Sequence, residues 1–472
     1  MRHWKLGMLA AAVATVATTA VWAADQQRFD GVELKMLGIG DTSVTRVAPI
    51  VGDFEKLTGA KVHIDQLPYP GLIDKIVVEA SSDKPTYQLL WVDSPWVGML
   101  GEAGALQDLT DLIKRDAAEI QLDDILPSQI QENTWQGRVL AFPASGMIWS
   151  TNYRKDLFEN PDEQAAFKAK YGYDLAPPKT WAQYHDIAEF FTRKAGQKLA
   201  GETLTKDFYG TAQAYSRVQG AITHDYFPIM RAYGGDYWDP KTGLCAMTGE
   251  PHVKAAEFLK SLIPFNPPDY LGLMWDLRTG YMERGEDAIS SYWSVRTVRL
   301  TNPKEAKIAD KGLVVGYIAS PTFEGKPEPT YTGSLSFGIN FKASPKEKEA
   351  AWAFIKWATS KDLMKKFAEE GQGVSQFRKS ILSDPALQAK YPYYKVLLSA
   401  QTDYKRRIFH PFYQDVEENF GVELNKYMAG ETKTALEALT NACSAVDARL
   451  KMFPLEQRLR WINDAPAAVY AK

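Results

Sequence analysis

The chain has 472 residues, with 55 Lys and Arg against 58 Asp and Glu and a net charge of −3. That balance excludes a nucleic-acid binder, which needs a basic face to neutralise phosphate, and the length is too great for one ordinary core, so two domains are expected. The 13 Trp, 23 Tyr and 21 Phe suit both cores and the flat walls on which the C–H faces of sugar rings stack.

Arg2 and Lys5 precede an apolar run from Leu6 to Val21, and Val21-Trp22-Ala23 fits a small-residue cleavage site. Residues 1–23 are therefore expected to be a secretory leader, leaving a mature net charge near −5. No later run approaches the roughly 20 apolar residues of a membrane span, and no Cys stands at the cleavage site to carry a lipid. A soluble periplasmic protein is expected.

Leu34 to Ile39 predicts a strand, followed by a helical pattern on Val47, Ile50, Val51, Phe54 and Leu57 that Gly59 stops. Lys61 to Asp65 predicts a second strand, Tyr69 to Ser82 a helix and Gln88 to Val92 a third strand. This rhythm implies a parallel sheet flanked by helices. Gly38 and Gly40 open like a dinucleotide fingerprint, but Ser43 stands where the third Gly is needed, so no nucleotide site is expected. Asp41, Thr42 and Ser43 are placed to cap the helix or to bond a ligand.

The third strand leads into Asp93-Ser94-Pro95-Trp96. A carboxylate at a strand's carboxyl end suits vicinal hydroxyls, with a helix cap as the alternative. Val139 to Tyr153 is a long extended segment after which the periodicity changes, the pattern of a strand that leaves one domain for the next and acts as a hinge. Helices are predicted at Trp181 to Thr192, Asp225 to Tyr233 and Ala255 to Ile263, and strands at Phe208 to Gln213, Val314 to Ile318 and Thr332 to Asn340. Gly325 to Pro329 is expected as a surface turn. Pro345 starts a helix whose Trp352 and Trp357 fall at core spacing. From Pro385 onward only helices are predicted, with Leu436, Leu439, Cys443, Val446 and Leu450 on one face.

Between these lies Tyr281 to Arg296: a helix end, the Gly285 turn, a short strand, then Trp293 where the strand runs out. In open α/β sheets ligands collect at the carboxyl ends of strands, so Trp293 is a candidate stacking platform. Cys245 and Cys443 are the two cysteines, and an oxidising compartment leaves open a disulfide or two buried thiols. No cofactor motif and no Cys/His metal cluster is present.

Phe54 to Val62, Tyr87 to Leu112, Tyr153 to Phe158, Pro178 to Trp181, Gly234-Gly235, Gly285 to Trp293, Gly333 to Asn340 and Glu349 to Trp357 together resemble the extracellular solute-binding proteins of carbohydrate ABC importers, the maltose-binding-protein-like group. The resemblance implies an α/β, two-lobed fold, each lobe a mostly parallel sheet flanked by helices, hinged around a cleft. It places residues 24–145 and 332–378 in the first lobe and 146–331 and 379–472 in the second. It implies a monomeric periplasmic receptor that closes over a carbohydrate and delivers it to inner-membrane permease subunits, with no cofactor and no catalysis. By position, its cleft residues fall at Asp41, Thr42, Asp93, Trp96, Ser145, Met147, His224, Trp293, Arg296 and Arg378. Met147 stands where relatives often carry an acid, and His224 where an aromatic is expected. Arg296 and Arg378 either face the cleft, which suits an acidic sugar, or pair with surface acids. Two other readings stay open. One is a secreted carbohydrate-active enzyme using Asp93 and a second acid; the other is a binding protein for a non-sugar solute such as a glycerophosphodiester.

Overall fold

The computed structural model describes residues 28–69, 71–323, 330–372, 375–400, 404–463 and 465–470. The expected leader and the turn at Gly325 to Pro329 lie outside the described residues. Its centre is one eight-stranded sheet, built from β1 (Glu33–Ile39), β2 (Lys61–Leu67), β3 (Leu89–Asp93), β4 (Ala141–Arg154), β5 (Ile289–Trp293), β6 (Val315–Ala319), β7 (Thr330–Ile339) and β8 (Tyr404–Arg406).

In the first lobe β1 lies parallel between β2 and β3, with Glu33 opposite Lys61 and Met36 opposite Leu89. β3 is apolar enough to be covered on both faces, and every one of its residues is buried, whereas the edge strand β2 alternates and is mostly exposed. Gly59 ends the preceding helix in the left-handed region, at φ 77°, as a helix C-terminus favours. β7 runs antiparallel to β3, with Leu335 opposite Asp93, and antiparallel to β4, from Gly338 opposite Ala141 to Thr332 opposite Ile148.

β4 corresponds to the long extended segment that the sequence predicts from Val139 to Tyr153. All of its 14 residues are buried, its first half pairs with β7 and its second half enters the other lobe. There Trp149 lies opposite Trp293 of β5, and Arg154 opposite Val315 of β6. Both of these ladders are antiparallel. Helices cover the sheet in each lobe; Thr180 and Ser344 start two of them with full capping boxes.

Three expectations are corrected. Phe208 to Gln213 is extended but makes only isolated bridges, Phe208 to Arg193 and Tyr209 to Asp287. Beyond them the N–H groups of Ala212 and Gln213 go to Ser290 Oγ and Asn266 Oδ1, so side chains replace a ladder. The stretch after Pro385 is not purely helical, since β8 lies parallel to β7 with Arg406 opposite Thr332. In helix Leu455–Ile462 Arg460 pairs with Glu102, and beyond it the Ala468 N–H donates to the Gly137 carbonyl at 2.8 Å. Leu436 also points outward rather than sharing the buried face of Leu439, Cys443, Val446 and Leu450. Cys245 and Cys443 are joined as a disulfide.

Candidate ligand-binding cleft

The carboxyl ends of β3 and β5 face each other across the hinge, and β8 delivers a third group between them. Because side chains alternate along an extended chain, Arg406 and Arg407 leave it on opposite sides. Arg406 donates to the Thr134 carbonyl of the first lobe. Arg407 enters the space between the lobes.

There its Nη1 lies 3.1 Å from both carboxylate oxygens of Asp93. Tyr69 of the first lobe donates to the same carboxylate at 2.9 Å. On the other side the guanidinium lies over the Trp293 ring, 5.1 Å from its centroid, and 3.6 Å from Glu417. Trp293 Nε1 donates to His224 Nδ1 at 2.8 Å, and His224 Nε2 lies 3.0 Å from Glu417 Oε1. An indole can only donate, so His224 Nδ1 is the acceptor and Nε2 carries the proton that goes to Glu417. Burial, with Arg407 beside it, holds the His224 pKa well below its usual value, consistent with a neutral ring. Burial pushes the Glu417 carboxyl up to about 7 against the opposing pull of Arg407 and Tyr413. Burial by itself would lower the Arg407 pKa, but Asp93, Tyr413 and Glu417 outweigh it and raise it.

The local sequence explains this convergence. Helix Tyr413–Ala429 presents Tyr413 and Glu417 four residues apart, hence on one face. It approaches the helix carrying His224 through two glycines: a Cβ on Gly421 would fall 2.9 Å from Gly220 Cα. Gly333 plays a similar part in β7, where a Cβ would lie 2.8 Å from Met147 Cε and 3.4 Å from Trp293 Cζ3. Aromatic rings wall the cluster. Tyr331 stacks on Trp293 at 5.6 Å, Trp149 meets it edge-on, and Tyr69 of the first lobe touches Trp275 of the second at 5.5 Å.

Of the residues that the sequence singles out, the structure brings Asp93, His224 and Trp293 into direct contact through Arg407. Trp96 packs on Tyr69 at 5.1 Å and on Trp91. Met147 is buried beside Trp293, whereas the Ser145 hydroxyl donates to the Ser375 carbonyl. Asp41 caps the short helix Thr42–Thr45, accepting from the N–H groups of Ser43 and Val44. Its Oδ2 and the Thr42 hydroxyl remain buried without a partner, and burial raises its pKa.

The two predicted arginines lie elsewhere. Arg296 is partly exposed and pairs with Asp276. Arg378 is buried in the first lobe, donating to the carbonyls of Thr359 and Ile120, with Asp124 at 3.8 Å. A backbone socket of that kind positions chain segments rather than solute. Sequence reading misses Tyr69, Trp275, Arg407, Tyr413 and Glu417. For Glu417 a cue existed: it interrupts the buried stripe of Tyr413, Val416, Phe420 and Leu424, where a charge needs a partner.

Comparison with known proteins places this geometry among relatives. Residues 40–365 match the family described as bacterial extracellular solute-binding protein. The chain is 24% identical over 341 residues to a mannitol-binding protein of Pseudomonas aeruginosa, covering 70% of this chain and 69% of that protein. It is 24% identical over 376 residues to a probable amino-acid ABC transporter periplasmic-binding protein of Sinorhizobium fredii, with 77% of each covered. Among solved structures, an ABC transporter solute-binding protein from Agrobacterium radiobacter in complex with ribitol superimposes with a TM-score of 0.77. It is 28% identical and covers 90% of this chain and 100% of its own.

Proposed function

We propose that this chain, which belongs to the bacterial extracellular solute-binding protein family, captures a sugar or polyol between its lobes for the permease of an ABC importer. The observation that carries the ligand reading is the convergence on Arg407 of Asp93 and Tyr69 from one lobe and His224, Glu417 and Trp293 from the other. Polyhydroxylated solutes need fixed donors and acceptors for hydroxyls and flat aromatic faces for C–H surfaces, and this cluster supplies both. Ligands named for two relatives, mannitol and ribitol, belong to that class.

The mechanism is a population shift. A solute that bonds both lobes does so only when they are closed, and it favours closure by that differential affinity. β4, whose first half pairs with β7 and whose second half pairs with β5 and β6, is the segment that flexes. The receptor acts as a periplasmic monomer and carries its solute without chemistry.

Thermal shift and calorimetry against alditols, mono- and oligosaccharides and L-amino acids test the reading. A true ligand at 100 times its Kd stabilises the fold by about 2.7 kcal/mol. Binding confined to amino acids, or to nothing in the panel, would overturn it.

A further inference from the structure

Resting on the sugar or polyol reading above, we infer that Asp93 sets the charge selectivity of the cleft. By neutralising Arg407 it restricts the site to uncharged polyhydroxylated solutes and turns away sugar acids.

The argument starts from where each cation around the cleft is held. Arg407 shares its Nη1 between both oxygens of Asp93 and is flanked by Glu417. Even when Glu417 holds its proton, Asp93 alone balances the guanidinium. Arg278, which lies over the Trp149 ring, is paired with Asp225. Among the described residues, Arg46 touches none of these groups; it donates to the Ala144 carbonyl and makes no ion pair. Arg296 and Arg378 lie away from this cluster, the first paired with Asp276 and the second enclosed by backbone carbonyls. Arg407 and Arg278, the two cations that lie over the cluster's tryptophan rings, therefore each have a carboxylate of their own. A buried anion without an unmatched cation loses its hydration and regains little. A ligand carboxylate beside Arg407 would also face Asp93 and Glu417.

A neutral polyol meets the opposite situation. Trp275 Nε1, on a ring that packs against Tyr69 and His224, is a buried donor that the protein leaves without a partner. A ligand hydroxyl accepts from it without bringing a charge. Like-charge juxtaposition in an interface costs several kcal/mol, which in affinity is on the order of a hundredfold or more.

The test is calorimetric titration of the intact protein at pH 7 with matched pairs of equal carbon number, ribitol against D-ribonate and D-mannitol against D-mannonate. The alditol of the preferred pair is expected to bind on the order of 100-fold more tightly than its aldonate. Asp93→Asn, near-isosteric and checked for folding by circular dichroism, should shift that ratio toward the aldonate by at least about tenfold, because Arg407 then lacks its counter-ion. Glu417→Gln should move it in the same direction by less, and Arg296→Ala should leave it unchanged. If Asp93→Asn does not fold, the wild-type ratio and Glu417→Gln still decide. Equal wild-type affinity for alditol and aldonate would overturn the inference while leaving sugar or polyol binding intact. Failure of every neutral polyol and sugar to bind would overturn both.

Discussion

Arg407 and Arg378 are both buried, at 3% and 1% exposure, yet their surroundings are opposite in kind. Arg407 lies between carboxylates and aromatic rings contributed by two lobes, and those neighbours raise its pKa above the usual value despite burial. Arg378 lies within one lobe among carbonyl oxygens, and burial lowers its pKa to about 10, Asp124 opposing only in part. What neutralises a buried guanidinium tells its role better than how deeply it is buried. Carbonyls from one lobe make a structural clasp, and carboxylates at an inter-lobe junction make a polar site.

The contrast breaks most visibly in Arg407→Met. Removing one partner of a buried ion pair leaves Asp93 without its cation, at a cost of about 3–5 kcal/mol, and should abolish solute binding; urea unfolding and calorimetry check the two effects. Opening the Cys245–Cys443 bridge with Cys443→Ser should cost about 2–4 kcal/mol while leaving the affinity unchanged, because the bridge ties helix Ala435–Leu450 to a residue 198 positions earlier and contributes no group to the Arg407 cluster. Arg378→Met leaves the Thr359 and Ile120 carbonyls unmet, for about 1–3 kcal/mol, again with the affinity preserved. If Arg378→Met removes binding as completely as Arg407→Met, the distinction between clasp and site fails.

Titration sharpens the same comparison. In the folded protein Glu417 keeps its proton up to a pKa of about 7, against 4.5 for an ordinary glutamate. The folded state thus holds more protons than the unfolded chain between those values, and stability falls as pH rises through that window. The slope is at most about 1.4 kcal/mol per pH unit for one group. Melting temperatures from pH 4.5 to 7.5 should show it, and Glu417→Gln should flatten it. The smallest effect is expected for Trp293→Phe, which keeps a ring against Arg407 and Tyr331 but loses the bond to His224. An affinity loss of about tenfold, from roughly 1.4 kcal/mol, follows from one buried hydrogen bond.

Much of the fold is legible in the sequence because its elements announce themselves by period and caps. The strands of the first lobe, the long strand β4 and the helix starting at Pro345 all follow from apolar runs, helix stops and capping residues. Trp293 is legible as well, since it stands where a short apolar strand runs out after a glycine turn. Arg407 is not. β8 has three residues and no periodicity, and Tyr404-Lys405-Arg406-Arg407 reads like an exposed basic loop. Its burial depends on pairing with β7, more than 70 residues away in the chain. Tyr413 and Glu417 escape for a related reason, because two glycines that permit the close approach of their helix carry no local mark of a partner. Arg378, by contrast, is taken for a cleft residue by position alone, since no local pattern tells carbonyl oxygens from a solute.

The most direct measurement is small-angle scattering of the intact protein, with and without a saturating solute from the panel whose binding calorimetry has established. Closure of the lobes around the Asp93–Arg407 cluster predicts a smaller radius of gyration with ligand, and loss of that response in Arg407→Met but not in Arg378→Met. An unchanged radius at saturation, with binding intact in Arg407→Met, would contradict it.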